Sequence, residues 1–154
     1  FMVDIISEVI KTEENAIIVF LGRGDAMYGV REYAIKKGVS EHIEFMGSRT
    51  DISRFYQAMD LFLFPSFHEG LPIAGIEAQT ADLPCLFSDA ITSEIMITNR
   101  AVSVPLDLGA SEWAKKAILL AKAQGRENVA DKIIALGYDA ADMGKRMERI
   151  YEQQ

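Results

Sequence analysis

The chain has little cysteine and little histidine: one cysteine and two histidines among 154 residues. The lone cysteine, Cys85, cannot form a disulfide within the chain, and this composition fits a reducing compartment. Structural zinc sites need about four nitrogen or sulfur ligands close together. The sequence therefore predicts neither a disulfide framework nor a metal site, and its fold must be held by an apolar core.

Positive charge is also scarce. Lysine and arginine together number 16 against 23 aspartates and glutamates, which gives a formal net charge of −7. Nucleic-acid binding rests on clustered Lys and Arg, so this balance excludes nucleic acid as the main partner. A phosphate ligand remains possible, because backbone N–H groups at the start of a helix bind anions without basic side chains.

Long apolar runs and a targeting segment are absent as well. No run approaches the ~20 apolar residues that a membrane-spanning helix needs. The start, Phe1 to Asp4, lacks the basic region and the apolar stretch of a signal peptide. We expect the chain to begin partway through an element of a longer protein, with residues 1–154 forming one domain.

What the sequence does contain is an alternation of short apolar runs with helical patterns. Such runs are typical of strands buried on both faces, and their alternation with helices predicts a parallel sheet. We therefore predict an α/β domain of Rossmann-like, three-layer α/β/α architecture. In such sheets ligands bind beyond the carboxyl ends of the strands. The predicted strands are 16–21, 43–46, 61–64, 84–87 and 101–104, and the predicted helices are 2–12, 26–37, 51–59, 73–80, 111–123, 126–136 and 139–152.

The most informative segment, residues 68–78, follows a predicted strand and opens a predicted helix. Gly70 lets the backbone approach a ligand closely. Pro72 suits a first helical turn, where its missing N–H is not needed. The amides that are predicted to face an anion at the helix N-terminus belong to Gly70, Leu71, Ile73 and Ala74.

Two carboxylates flank this anion cradle, Glu69 in the loop and Glu77 in the early part of the helix. Carboxylates accept hydrogen bonds well from sugar hydroxyls. A nucleotide sugar has a diphosphate in the middle, a ribose on one side and a hexose on the other. Amides between two carboxylates match that order of groups, so we predict a nucleotide-sugar site.

Several motifs resemble the C-terminal donor-binding domain of retaining GT-B glycosyltransferases, especially family 4. Glu69 and Glu77, with seven residues between them, match the family's Glu-x7-Glu motif. The segments 64–72, 45–52 and 57–60 resemble its neighbouring signatures in order and spacing. Residues 89–94 resemble a branch associated with capsule and exopolysaccharide synthesis. The resemblance implies the C-terminal half of a GT-B fold and a bacterial polysaccharide-synthesis enzyme.

The resemblance also implies a role for each matching position. Glu77 would bind the donor ribose, and Glu69 would contact the donor hexose near its reacting face. The turn of Gly47, Ser48 and Arg49 would border the nucleobase, mainly through backbone groups. The other implied positions are Gly22 and Gly24 on the cleft floor and the amides of Gly70, Leu71, Ile73 and Ala74 at the diphosphate. No metal cofactor is expected, since amides and basic side chains carry the charge.

Some family features are missing or altered. The Arg and Lys that hold the diphosphate, the first strand and the N-terminal acceptor domain are not in this sequence, so we expect the isolated chain to bind donor weakly without transferring sugar. Asp82 stands where relatives often have Gly, and Ile91-Thr92 stands where they often have a Gly pair. We expect the parent enzyme to be cytoplasmic, with peripheral contact at the inner membrane face, and expect the first helix or the C-terminal helices to expose apolar surface.

Other interpretations stay open at this point. The parent could be a nucleotide-sugar 2-epimerase, although this half is poor in histidine, or a non-catalytic nucleotide-binding domain. Gly22 and Gly24 could serve a turn alone, because the third glycine of a dinucleotide fingerprint is replaced by Met27. Arg49 could face either the ligand or the solvent, whereas His68 is expected to be a loop residue.

Overall fold

A computed structural model describes residues 1–123 and 125–152 as five strands and seven α-helices joined by short turns. The predicted alternation of strands and helices is confirmed. In chain order the elements are α1 (Met2–Val9), β1 (Ile18–Leu21), α2 (Met27–Lys37), β2 (Ile43–Gly47), α3 (Ile52–Ala58), β3 (Phe62–Phe64), α4 (Ile73–Thr80), β4 (Cys85–Ser88), β5 (Ala101–Val104), α5 (Gly109–Ala121), α6 (Ala130–Ala135) and α7 (Ala140–Glu152).

All strand pairs are parallel, as predicted, but the strands form two hydrogen-bonded groups. β1 pairs with β2, and β4 lies between β3 and β5. Within the described ranges, no ladder joins the pair to the triple. β2 and β3 follow each other along the chain through α3 without pairing.

The central strand β4 shows why these segments are so apolar. Cys85 and Phe87 point into one core together with Tyr56 of α3 and Ala78 of α4. Leu86 points to the opposite side and packs with residues of α1 and α5. A strand covered on both faces has to be apolar at every position, which explains the continuous run that identified it.

Cys85 and Trp113 are fully buried members of these cores. Cys85 is fully buried and behaves as a small core side chain, and burial raises the pKa of its thiol, which keeps it protonated. Trp113 of α5 is also fully buried and packs against Leu86, Val104 and Ile5. Its indole Nε1 donates a 2.9 Å hydrogen bond to the carbonyl of Pro105, which satisfies its one polar atom.

Helix α1 connects the two groups of strands. Ile5 packs in the core beneath β4 and β5, whereas Val3 and Ile6 pack in the core beneath β1 and β2 with Ala34 of α2. The apolar face of α1 is therefore buried, unlike that of the C-terminal α7, where Met143, Met147 and Ile150 are exposed along one side. None of the described helices has both the length and the apolarity needed to cross a membrane.

Candidate nucleotide-sugar site

The carboxyl ends of β1 and β2 are tied together by two of the predicted site glycines. The amide of Gly22, directly after β1, donates a 2.8 Å hydrogen bond to the carbonyl of Gly47 at the end of β2. Their φ angles are +120° and +64°, a region that residues with a side chain rarely adopt. Both glycines are thus needed for the turns that shape this edge, and Gly24 follows in the same exposed loop.

The loop that carries Glu69 is anchored to the end of β4. The hydroxyl of Ser88 donates a short hydrogen bond to the carbonyl of Ser66. The hydroxyl of Ser66 lies 3.4 Å from Glu69 Oε1, and Glu69 forms an isolated parallel bridge with Ile91 in the loop after β4. The position of Glu69 is therefore defined by two loops at the carboxyl ends of adjacent strands.

Helix α4 begins immediately after this loop and leaves several amides unpaired. Within the described residues, the amides of Leu71, Ile73 and Ala74 donate no hydrogen bond, and the first helical bonds are those of Gly75 and Ile76 to the carbonyl of Pro72. The first N–H groups of a helix have no intrahelical acceptor and carry partial positive charge. This end of α4 can accept an anion.

Gly70, the remaining predicted member of the cradle, lies between Glu69 and these amides. It is exposed, and a Cβ built on it would meet no atom within 4 Å. The space on the Cβ side of Gly70 is therefore open, which allows a close approach to this part of the backbone.

Glu77 lies one turn into α4 and is exposed to solvent, but one of its oxygens is held. The hydroxyl of Tyr56, on α3, donates a 3.1 Å hydrogen bond to Glu77 Oε2. Sequence inspection did not single out Tyr56. Its place in an apolar helical pattern does indicate burial, and a buried tyrosine usually needs a hydrogen-bond partner for its hydroxyl.

Arg49 is turned toward its own loop. Its Nε and one terminal nitrogen donate hydrogen bonds of 2.8 and 2.9 Å to the two carboxylate oxygens of Asp51, and its guanidinium lies 5.5 Å from the Phe55 ring centroid. These hydrogen bonds raise the pKa of Arg49 and lower the pKa of Asp51. Asp51 precedes the first residue of α3, but its side chain makes no capping hydrogen bond, because Arg49 occupies that carboxylate.

The residues expected at the site thus follow the carboxyl ends of β1, β2 and β3, and most of them are open to solvent. Glu69, Gly70 and Glu77 are exposed, as are Gly22 and Gly24. A cavity of about 650 Å³ lies elsewhere, next to Pro84 and Arg100, which precede the amino ends of β4 and β5. His68 is exposed, and Nδ1 of His42 lies 2.9 Å from the carbonyl of Ala16. Neither histidine is therefore assigned to the candidate site.

The match to known families agrees with this geometry. The family model described as glycosyl transferases group 1 matches residues 1–137. Because the match covers most of the chain, the chain belongs to this family of glycosyltransferases.

Curated relatives extend the match. EpsF of Bacillus subtilis, named as a glycosyltransferase, is 31% identical over 128 residues, which are 80% of this chain and 33% of that protein. The UDP-Gal:alpha-D-GlcNAc-diphosphoundecaprenol alpha-1,3-galactosyltransferase of Escherichia coli is 30% identical over 86 residues, which are 55% of this chain and 22% of that enzyme. The chain thus spans a third or less of these curated relatives.

Solved structures support the fold. The pneumococcal O-GlcNAc transferase GtfA, in complex with UDP and GlcNAc, matches 99% of this chain over 32% of its own, with a TM-score of 0.76 and 15% identity. Anabaena HepE, in complex with UDP, matches 99% of this chain over 45% of its own, with a TM-score of 0.76 and 16% identity. The chain has the α/β fold of the C-terminal half of a GT-B structure.

Proposed function

We propose that this chain is the donor-binding domain of a retaining glycosyltransferase that moves a hexosyl group from a nucleotide-diphosphate sugar to a polysaccharide or lipid-linked acceptor. The observation that carries the proposal is the set of unpaired amides at the start of α4, those of Leu71, Ile73 and Ala74. They lie between Glu69 and Glu77 in the chain, with exposed carboxylates on either side.

The chemistry of transfer explains why amides are useful at this position. As the bond between the sugar and the diphosphate breaks, negative charge grows on the diphosphate. N–H groups that are already oriented toward that charge stabilise the transition state without reorganising. In this proposal the amides and basic side chains of the intact enzyme balance the charge, so no metal cofactor is required.

The two carboxylates determine at which end of the site each sugar of the donor is bound. Glu77 accepts hydrogen bonds from the ribose hydroxyls, and Glu69 contacts the hexose next to the reacting carbon. Gly47 and Arg49 border the nucleobase through their backbone, which agrees with an Arg49 side chain that is already engaged by Asp51. Gly22 and Gly24 form the floor of the cleft beside this turn.

The relatives favour transfer over epimerisation. The Escherichia coli relative is named for a UDP-Gal donor, an alpha-1,3 linkage and a diphosphoundecaprenol-linked acceptor. By analogy we place the parent enzyme in the cytoplasm, in peripheral contact with the inner membrane face where a lipid-linked acceptor resides. The N-terminal domain of that parent would supply the acceptor site.

Calorimetry tests the donor site directly. The chain is titrated with UDP and with GDP, and we expect weak binding of one of them. Glu77→Ala should weaken that binding further, whereas Glu32→Ala, which removes an exposed glutamate of α2, should leave it unchanged. Equal affinity of the wild-type and Glu77→Ala chains would reject the ribose assignment.

The reaction itself is tested on the full-length parent with a labelled nucleotide sugar. Transfer of label to a lipid or glycan acceptor supports the proposal, and retention is read from the anomeric configuration of the product. Release of an epimerised sugar, or no turnover in the presence of bound donor, would replace it with one of the two alternatives. Activity that survives a chelator is expected.

A further inference from the structure

The hydrogen bond between Tyr56 and Glu77 joins a buried residue to an exposed one. Only 7% of Tyr56 is exposed, and its ring packs with Ala78 and Cys85 and against the edge of Phe62. Glu77 is open to solvent. One oxygen of the exposed Glu77 carboxylate thus accepts a hydrogen bond from the Tyr56 hydroxyl, whose position is fixed by packing in the core.

The backbone of Tyr56 is fixed as well. Arg126 donates a 2.5 Å hydrogen bond to the carbonyl of Tyr56 and another to the carbonyl of Met59. Tyr56 lies in the last turn of α3 and Met59 directly follows that helix, where backbone carbonyls have no partner within the helix. Ring, backbone and hydroxyl of Tyr56 are therefore all restrained.

We infer that Tyr56 is a positioning residue for the donor nucleotide: it holds the Glu77 carboxylate in the one orientation in which the free oxygen meets the ribose hydroxyls. The inference rests on the proposed function, since it assigns a cause to the ribose recognition proposed there. The ligand whose affinity Tyr56 should increase is a nucleoside diphosphate with an intact ribose.

The contact leaves Glu77 able to bind. Oε2 accepts from Tyr56, and among the described residues no hydrogen bond to Oε1 occurs. A free glutamate on a helix samples several rotamers and loses that freedom when it binds, so a partner that fixes it beforehand improves affinity. Holding Oε2 restricts the rotamers of Glu77, and Oε1 remains available as an acceptor for ribose hydroxyls.

Tyr56 is also suited to remain a donor. Burial, followed by the charge and the hydrogen bond of Glu77, raises the pKa of the Tyr56 phenol far above its ordinary value. The hydroxyl therefore keeps its proton across the working pH range and always points it to Glu77.

The test compares a ligand that has ribose hydroxyls with one that lacks them. The wild-type and Tyr56→Phe chains are titrated by calorimetry with UDP and with 2′,3′-dideoxyuridine diphosphate, or with the guanine pair if the wild-type chain binds GDP. We expect Tyr56→Phe to weaken the ribonucleotide about three- to tenfold, the size of one hydrogen bond, and to leave the dideoxy analogue unchanged. In a Glu77→Ala background the same substitution should add nothing.

Tyr33→Phe is the matched control. The hydroxyl of Tyr33 also donates to a carboxylate, that of Asp4, at 2.7 Å, but it does so between α2 and α1. Its removal should not change the affinity for either nucleotide. Thermal unfolding of each variant checks that the fold is kept.

The outcomes separate the inference from the proposed function. If the wild-type chain binds neither nucleotide, the proposed function fails. If it binds the ribonucleotide and Tyr56→Phe binds equally well, or loses both ligands to the same degree, the positioning role is overturned while the donor site stands. Should Tyr56→Phe not fold, Glu77→Asp withdraws the carboxylate from the phenol, and unchanged discrimination between the two ligands would overturn the inference.

Discussion

The buried Asp82 forms an ion pair with the partly buried Arg100, with Asp82 Oδ2 at 3.1 Å from Arg100 Nε. The same Asp82 oxygen accepts a 2.7 Å hydrogen bond from the amide of Glu127. Asp82 has a φ angle of +50°, the left-handed region that glycine adopts without strain. The left-handed backbone at this position favours glycine, which explains why relatives often carry glycine here. In this chain the Asp82 carboxylate offsets the strain through its contacts with Arg100 and Glu127.

The first prediction concerns this position. Asp82→Ala keeps the strain and removes the carboxylate from Arg100, so we expect it to lower the free energy of unfolding by about 3 kcal/mol. Asp82→Gly loses the same contacts but relieves the backbone, and should be less destabilising by about 1 kcal/mol. Urea unfolding followed by the fluorescence of Trp113 measures both. If Asp82→Gly is the less stable of the two, the strain argument is wrong.

The second prediction concerns Gly75, where α4 approaches β4 closely. A Cβ on Gly75 would lie 2.9 Å from the Phe87 ring and 3.0 Å from Ile95 Cδ1. Both neighbours are buried, so they have little room to move. Gly75→Ala should lower the free energy of unfolding by about 1–2 kcal/mol, because overpacking outweighs the higher helix propensity of alanine.

Gly29 of α2 is the control for that substitution. A Cβ there would meet nothing within 4 Å, and the residue is exposed. Gly29→Ala should therefore raise the free energy of unfolding by roughly 0.5–1 kcal/mol through helix propensity alone. Changes of the same sign in Gly75→Ala and Gly29→Ala would refute the packing argument.

The third prediction concerns Gln79, which is fully buried between α4 and the loop before β5. Its Nε2 donates to the carbonyl of Ile95 at 2.7 Å, and its Oε1 accepts from the amides of Ile97 and Thr98 at 3.1 and 2.9 Å. Gln79→Met fills similar volume but leaves the amide of Thr98 without a partner, whereas the amide of Ile97 and the carbonyl of Ile95 keep their 2.9 Å hydrogen bond to each other. We expect a loss of about 1–3 kcal/mol in unfolding free energy, which is the cost of one buried unsatisfied group.

Hydrogen exchange locates the effect of Gln79→Met. The amide of Thr98 should lose protection, while those of β1 and β2 should keep theirs in conditions where exchange occurs by local opening. Uniform loss across the molecule would show that Gln79 supports the whole fold and not this loop in particular.

The sequence predicted the elements well where burial determines the pattern. β4 is covered on both sides, so its apolar run has a clear cause and clear limits. The predicted ends of the elements were less accurate where contacts with distant segments determine them. Helix α6 was predicted from residue 126 but begins at Ala130, because Arg126 and Glu127 bind carbonyls and a carboxylate of segments 45 to 70 residues away.

The candidate site divides in the same way. Glu69 and Glu77 were found from their spacing and flanking residues, which are local in sequence. Tyr56 was not, since a hydroxyl 21 residues from its acceptor gives no local pattern. Side-chain partners selected by the packing of separate helices require the structure.

The fourth prediction concerns acid stability. Asp4 of α1 lies 2.9 Å from Lys37 Nζ and accepts the hydroxyl hydrogen of Tyr33 at 2.7 Å. Desolvation alone would raise the pKa of Asp4, but the hydrogen bonds from Lys37 and Tyr33 outweigh it and the pKa is lowered. A carboxyl group with a lowered pKa stabilises the fold at pH values above its unfolded pKa of about 3.9, and this contribution is lost as the pH falls through the folded value.

Asp4→Asn should therefore be less stable than the wild type at pH 6 by less than about 1 kcal/mol, since the pair is partly exposed and screened by solvent. The difference should shrink as the pH falls through the folded pKa of Asp4, because the carboxyl group then takes up a proton in the folded state as well. Urea unfolding at a series of pH values measures it, and 0.5 M salt should reduce the pH 6 difference because the contact is electrostatic. A gap between the two proteins that stays constant from pH 6 to pH 2.5 would mean that Asp4 stabilises α1 by packing and not by its charge.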